Sequence, residues 1–131
     1  MKYFFDTNIF LRFLIPDNQQ MFEDCRRLFN LIEKGKVKAI GSSYIFGEIV
    51  WVLQSFYRFP KSKIASALKT FVVRGIHLED ETNMMLAIQL FEKYPVKFID
   101  CLIVSLPEIQ KGKMTIVSYD KDFDTIGVKR V

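Results

Sequence analysis

The chain has 131 residues, 50% of them hydrophobic and 26% charged, with a formal net charge of +4. That is one domain's worth of sequence, able to bury about two-thirds of its unfolded surface without disulfides or a structural metal, and its composition excludes intrinsic disorder. No apolar run reaches the ~18–20 residues of a membrane span, the opening MKYFFDTNIF is a poor secretory signal, and a lone His77 argues against a zinc module or a His-dependent hydrolase. Cys25 and Cys101 lack CxxC spacing, so we expect reduced thiols, a cytoplasmic location and no membrane partner. Thirteen phenylalanines predict an aromatic-rich core.

The elements follow in chain order as a single domain over residues 1–131. Tyr3-Phe4-Phe5 is short, uniformly apolar and stopped by Asp6, which predicts a buried strand. Asn8 to Ile15 is expected to be a short helix ended by Pro16, and Met21, Cys25, Leu28, Phe29 and Ile32 mark an amphipathic helix over 18–34. Residues 37–40 form a second predicted strand, after which Ser42 or Ser43 caps a helix over 44–57. A helix over 61–74, a strand over 76–78, a helix starting at Asp80 or Thr82 and closed by Pro95, and a helix over 99–106 come next. Residues 114–117 and 128–131 are predicted as the last two strands. Strands alternating with helices, without tight hairpin signals, predict an α/β fold with a parallel sheet flanked by helices. In such sheets, functional groups gather beyond the carboxyl ends of the strands.

Four carboxylates stand out, two of them after predicted strands and two inside apolar helices. Asp6 directly follows the first strand, and is either a helix cap or part of a site. Glu48 lies in a helix that reads as apolar nearly all round, so burial is expected, and a buried carboxylate must be paired, hydrogen-bonded, metal-bound or protonated. Asp100 interrupts the apolar run Phe98-Ile99-Asp100-Cys101-Leu102-Ile103-Val104, where a first-turn position favoured by the helix dipole is the plain alternative. Asp120 follows a predicted strand, with Asp122 and Asp124 close behind, as a solvated acidic turn would also do. If Asp6, Glu48, Asp100 and Asp120 converge, their mutual repulsion requires a cation. Oxygen-only donors favour Mg²⁺ or Mn²⁺, one or two ions.

DTNIFLRFL, Glu48 after Ser42-Ser43, FIDCLIVS around Asp100 and VSYDKDFDTI with GVKRV occur in an order that resembles the PIN-domain proteins, most closely the VapC-like toxin ribonucleases. The resemblance covers essentially the whole chain. It implies a three-layer α/β/α sandwich around a mostly parallel sheet of about five strands. It also implies that Asp6, Glu48, Asp100 and Asp120 form an acidic metal site, with Asn8 and Ser118 as supporting polar residues and Asp122 as a further acidic candidate. The implied activity is divalent-metal-dependent cleavage of RNA. The implied partners are a small antitoxin and a second copy of the chain.

On that reading Asp6, Asp100 and Asp120 hold Mg²⁺ or Mn²⁺, Glu48 binds the metal or positions its water, and the products carry a 5′-phosphate and a 3′-hydroxyl. RNA needs basic surface nearby. Arg12, less than two helical turns from Asp6, is the supporting candidate of most interest, ahead of Arg26, Arg27, Lys34, Lys36, Lys38, Lys61, Lys63, Lys111 and Lys113. Tyr44, Phe56, Tyr57 and Phe59 could stack bases or build a protein interface. The competing reading is a non-catalytic PIN-like module that binds RNA or protein. All four acidic positions being filled speaks against it, because clustered charge without a metal is unfavourable.

Overall fold

β1 (Lys2–Phe4), β2 (Lys38–Gly41) and β3 (His77–Leu78) lie side by side in that order, all parallel. Phe4 stands opposite Ile40, and Ile40 in turn opposite His77. Parallel neighbours need long crossovers. Here α1 (Thr7–Leu14) and α2 (Gln19–Glu33) join β1 to β2, and α3 (Ser43–Ser55) and α4 (Lys61–Val73) join β2 to β3. After β3 come α5 (Met84–Lys93), α6 (Phe98–Val104), α7 (Pro107–Gln110) and α8 (Asp122–Ile126), so helices surround the sheet. The computed structural model describes residues 2–131; Met1, part of the predicted 1–131 domain, lies outside them.

Among the described residues the sheet has three strands, not the five expected. Residues 114–117 and 128–131 meet each other in a single parallel bridge, Ile116 to Arg130. The Val131 N–H donates to the Ile116 carbonyl at 2.8 Å and the Ser118 N–H to the Val131 carbonyl at 3.1 Å. Only Ile116 of the first segment is buried, while Met114, Thr115 and Val117 face solvent, so little apolar burial holds a longer ladder together. The expectation of a buried first strand is also corrected. Tyr3 is 41% and Phe4 49% exposed, and Phe5, just beyond the strand, is the buried residue. Among the described residues β1 pairs only with β2, which makes it an edge strand.

Local chemistry sets the helix starts. Asp6, Asn18, Ser42 and Asn83 are N-caps whose side-chain oxygens accept from backbone N–H groups of the first turn. The fifth helix therefore begins after Asn83, and not at Asp80 or Thr82. The helix expected over 99–106 runs over Phe98–Val104, and two short helices that were not expected follow it. α6 ends at Val104, α7 restarts with Pro107 in its first turn, and α8 stops at Gly127, whose φ of 85° is open to glycine at no steric cost.

The core is aromatic, as the phenylalanine count predicts. Phe10 of α1 is fully buried with its ring 4.8 Å from Phe71 of α4 and 5.9 Å from Phe46 of α3. Phe29 of α2 packs on Phe5 at 5.7 Å. These edge-to-face contacts, on top of ~1.5–3 kcal/mol for each buried ring, hold α1 against α2, α3 and α4. The start of α1, and with it Asp6 and Thr7, is thereby fixed at the carboxyl end of β1. Cys25 and Cys101 are buried and unpaired, and burial pushes the Cys101 thiol up to about 11.

Candidate metal centre

The carboxylates singled out by the sequence fall into two groups of side chains. The first joins the end of β1 to α3. Asp6, in extended backbone, caps α1 by accepting the Thr7 N–H at 2.8 Å. The buried Thr7 then donates its hydroxyl to Glu48 Oε2 at 2.9 Å. Thr7 thus links the carboxylate beside it to one 41 positions further along the chain. Glu48 itself is exposed, contrary to the expected burial. α3 buries Ile45, Phe46, Ile49, Val50 and Leu53 but leaves Tyr44, Glu48 and Trp51 in solvent, at helical spacing on one face.

The second group is built by α6 and the turn before α8. Asp100, Asp120 and Asp122 each direct a carboxylate oxygen to a place where all three lie within 4.8 Å of one another. Asp100 is 4% exposed, and its Oδ2 has no hydrogen-bond partner. The turn is locally determined: Ser118 Oγ accepts the Asp120 N–H at 2.9 Å, and Asp120 Oδ1 accepts the Asp122 N–H at 2.9 Å. Arg130 braces it, donating to the Ser118 carbonyl at 3.0 Å and gripping Asp124 with two nitrogens at 3.0 and 2.8 Å. The expectations for Ser118, Asp100, Asp120 and Asp122 therefore fall in one place. Asp6 and Glu48 lie outside the 4.8 Å group.

The electrostatics of the second group are uneven. Burial raises the Asp100 carboxyl above the usual carboxylate range; the Lys97 ammonium opposes this, and the Asp120 and Asp122 carboxyls reinforce it. Asp120 is held below that range by the Asp122 N–H and by Lys97. Lys97 Nζ lies 3.0 Å from Asp120 Oδ2 and 4.0 Å from Asp100 Oδ2, and the hydrogen bond to Asp120 holds its own pKa up. A buried carboxylate oxygen without a donor, beside two further carboxylates and no sulfur or imidazole, fits a hard divalent cation bound through oxygen.

Sequence reasoning missed Thr7, Lys97 and Arg130. Thr7 carried a signal, being the small hydroxyl between Asp6 and Asn8. Lys97 carried a weaker one, as the basic residue three positions before Asp100. Of the supporting candidates, Asn8 is exposed, and Arg12 is committed to Asp17 at 2.8 Å. Arg26 and Arg27 pair with Glu23 and Asp24, and such surface pairs contribute little. Lys61 is structural, because Nζ donates to the Tyr94 carbonyl at 2.8 Å and lies over the Phe91 ring. Lys63 sits over Phe59, while Lys34, Lys36, Lys38, Lys111 and Lys113 are exposed.

A parallel sheet flanked by helices, together with a group of three carboxylates able to hold a metal ion, defines an α/β protein with a candidate acidic metal site. The family model for the PIN domain matches residues 3–129, and the chain belongs to that family. PIN domains are generally metal-dependent nucleases. Comparison with curated proteins and with solved structures gives no match. Among the described residues no helix is long and apolar enough to cross a membrane.

Proposed function

We propose that this chain is a divalent-metal-dependent endoribonuclease, and that it serves as the toxin of a cytoplasmic toxin–antitoxin pair, restrained by a small antitoxin protein and acting as a homodimer. The observation that carries the nuclease reading is the buried, unpartnered Asp100 Oδ2 facing Asp120 and Asp122. Asp6, Asp100 and Asp120 would hold Mg²⁺ or Mn²⁺, as one or two ions, with Asp122 as a further ligand. A bound ion of this kind supplies a more acidic water and neutralises charge at the scissile phosphate.

The chain's own residues do the rest. Thr7 orients the Glu48 carboxylate so that it can bind the ion or accept a proton from the attacking water. Ser118 and Arg130 fix the turn that presents Asp120. Exposed lysines provide the sequence-independent attraction for the RNA backbone. The toxin role, the antitoxin and the homodimer are supported by the resemblance to VapC-like proteins.

The test is cleavage of a structured RNA pool by the purified protein in Mg²⁺, in Mn²⁺ and in EDTA, beside Asp6→Asn, with end-group analysis. Metal-dependent cuts bearing 5′-phosphates and lost in the variant are expected. Cuts bearing 2′,3′-cyclic phosphates would overturn the mechanism. No cleavage and no bound metal would shift the reading to a non-catalytic binding module.

A further inference from the structure

Lys97 belongs to two places at once. It precedes α6 in extended backbone, and its side chain is 64% exposed. On one side its ammonium donates to Asp120 Oδ2 at 3.0 Å and stands 4.0 Å from Asp100 Oδ2, the oxygen that has no hydrogen-bond partner. On the other side Lys97 forms part of the wall of an apolar groove of about 400 Å³, together with Tyr44, Gly47, Trp51, Ile99 and Leu102. The groove and the acidic cluster therefore share this one side chain. The ammonium lies against the same Asp100 and Asp120 carboxylates that would hold a divalent ion. A divalent cation and an ammonium sharing one carboxylate oxygen repel each other, so binding of one favours departure of the other. The four-carbon stem of lysine allows that departure by side-chain rotation alone, with the stem along the apolar wall and the charge at its tip.

We propose that Lys97 is an exchangeable internal cation. It neutralises the acidic cluster in the metal-free protein, yields that place to a divalent ion, and turns its ammonium outward along the groove wall to solvent. This rests on the metal-dependent reading above and adds a coupling to it: loading the metal transfers a positive charge to the surface beside the site. Lysine suits the exchange better than arginine, whose rigid fork would hold Asp100 and Asp120 through paired hydrogen bonds and compete harder.

The experiment is calorimetric titration of Mn²⁺ into the EDTA-stripped, dialysed full chain, with melting curves in EDTA and in excess Mn²⁺, for wild type, Lys97→Gln and Lys97→Arg. Lys97→Gln is expected to bind Mn²⁺ about two- to fivefold more tightly, the scale of removing an exposed competing ion pair. It is expected to melt lower in EDTA and to gain more from the metal. Lys97→Arg, the variant that keeps the charge, is expected to bind more weakly than wild type. A structural role for Lys97 would not produce the order Gln, Lys, Arg. Equal or weaker binding by Lys97→Gln, with wild type binding normally, overturns the exchange and leaves the metal reading standing. Absence of binding in all three proteins overturns both.

Discussion

The two acidic groups at the site differ in what the protein supplies to them. The Asp6–Thr7–Glu48 group has hydrogen-bond donors of its own: a backbone N–H serves Asp6 and a threonine hydroxyl serves Glu48. The Asp100–Asp120–Asp122 group is short of them. Its most buried oxygen has no partner, and its main positive charge is a lysine that is 64% exposed. A carboxylate served by donors is a structural device that can also do chemistry. A buried carboxylate left without one carries a standing cost that a cation removes. The demand for a cation is therefore greater in the second group, and in the proposed reaction Asp6 of the first group would complete the ligands while Thr7 orients Glu48.

The largest expected effect follows from removing that demand. Asp100→Asn eliminates a buried negative charge that lies beside two others and is already pushed toward protonation by burial. The metal-free variant should be more stable than wild type, by about 1 kcal/mol, the usual scale for relieving a strained functional group. Its RNA cleavage should fall by about 100-fold or more through loss of a ligand. Melting in EDTA together with initial rates in Mg²⁺ checks both. A variant that is less stable without metal would place Asp100 among structural carboxylates and remove the contrast.

Thr7→Val tests the other group. Valine keeps the shape but removes the hydroxyl that orients Glu48, so the loss should be about 1 kcal/mol in stability and about tenfold in cleavage rate, with metal affinity nearly unchanged. Calorimetry with Mn²⁺ beside the cleavage assay separates these effects. A metal affinity that falls as far as the rate would mean that Glu48 is a ligand rather than an orienting group.

Much of this arrangement was legible in the residues themselves. Asp6 and Ser42 stand where an apolar run stops, and each caps the following helix. Asp100 is conspicuous because its neighbours in α6 are apolar, and it is indeed buried. Burial of Glu48 was the wrong inference. Nearly uniform hydrophobicity hides the face a helix turns outward, and here that face carries Tyr44 and Trp51. Strand count failed for a related reason. Tyr3-Phe4-Phe5 and Met114 to Val117 have strand-like residues, but whether such a run finds partners on both sides is decided by segments far away in sequence. Lys97 gave a local hint only through Asp100, three positions on, since its closer partner Asp120 is 23 positions away, and Arg130 reaches partners 6 and 12 positions back.

Asp80 gives the sharpest and smallest test, because it is a carboxylate outside both groups and the opposite of Asp100. Its Oδ2 accepts the Ser43 N–H at 2.7 Å, at the start of α3, and its Oδ1 accepts the Thr82 N–H at 3.1 Å. Partial burial acts to raise its pKa, but these hydrogen bonds outweigh it and hold the carboxyl below its ordinary 3.8. A lowered folded-state pKa contributes stability above the unfolded value and loses it as pH falls through the folded one. Asp80→Asn should therefore cost about 1 kcal/mol at neutral pH, and the difference from wild type should shrink between about pH 5 and pH 2. Asp100 has the reverse sign. Its raised folded-state pKa favours folding in acid, and that contribution is lost as pH rises through it, so the advantage of Asp100→Asn in EDTA should grow toward neutral pH. Denaturant midpoints measured across pH for the two variants should diverge in opposite directions. Parallel curves would mean that donors and burial do not separate the two carboxylates.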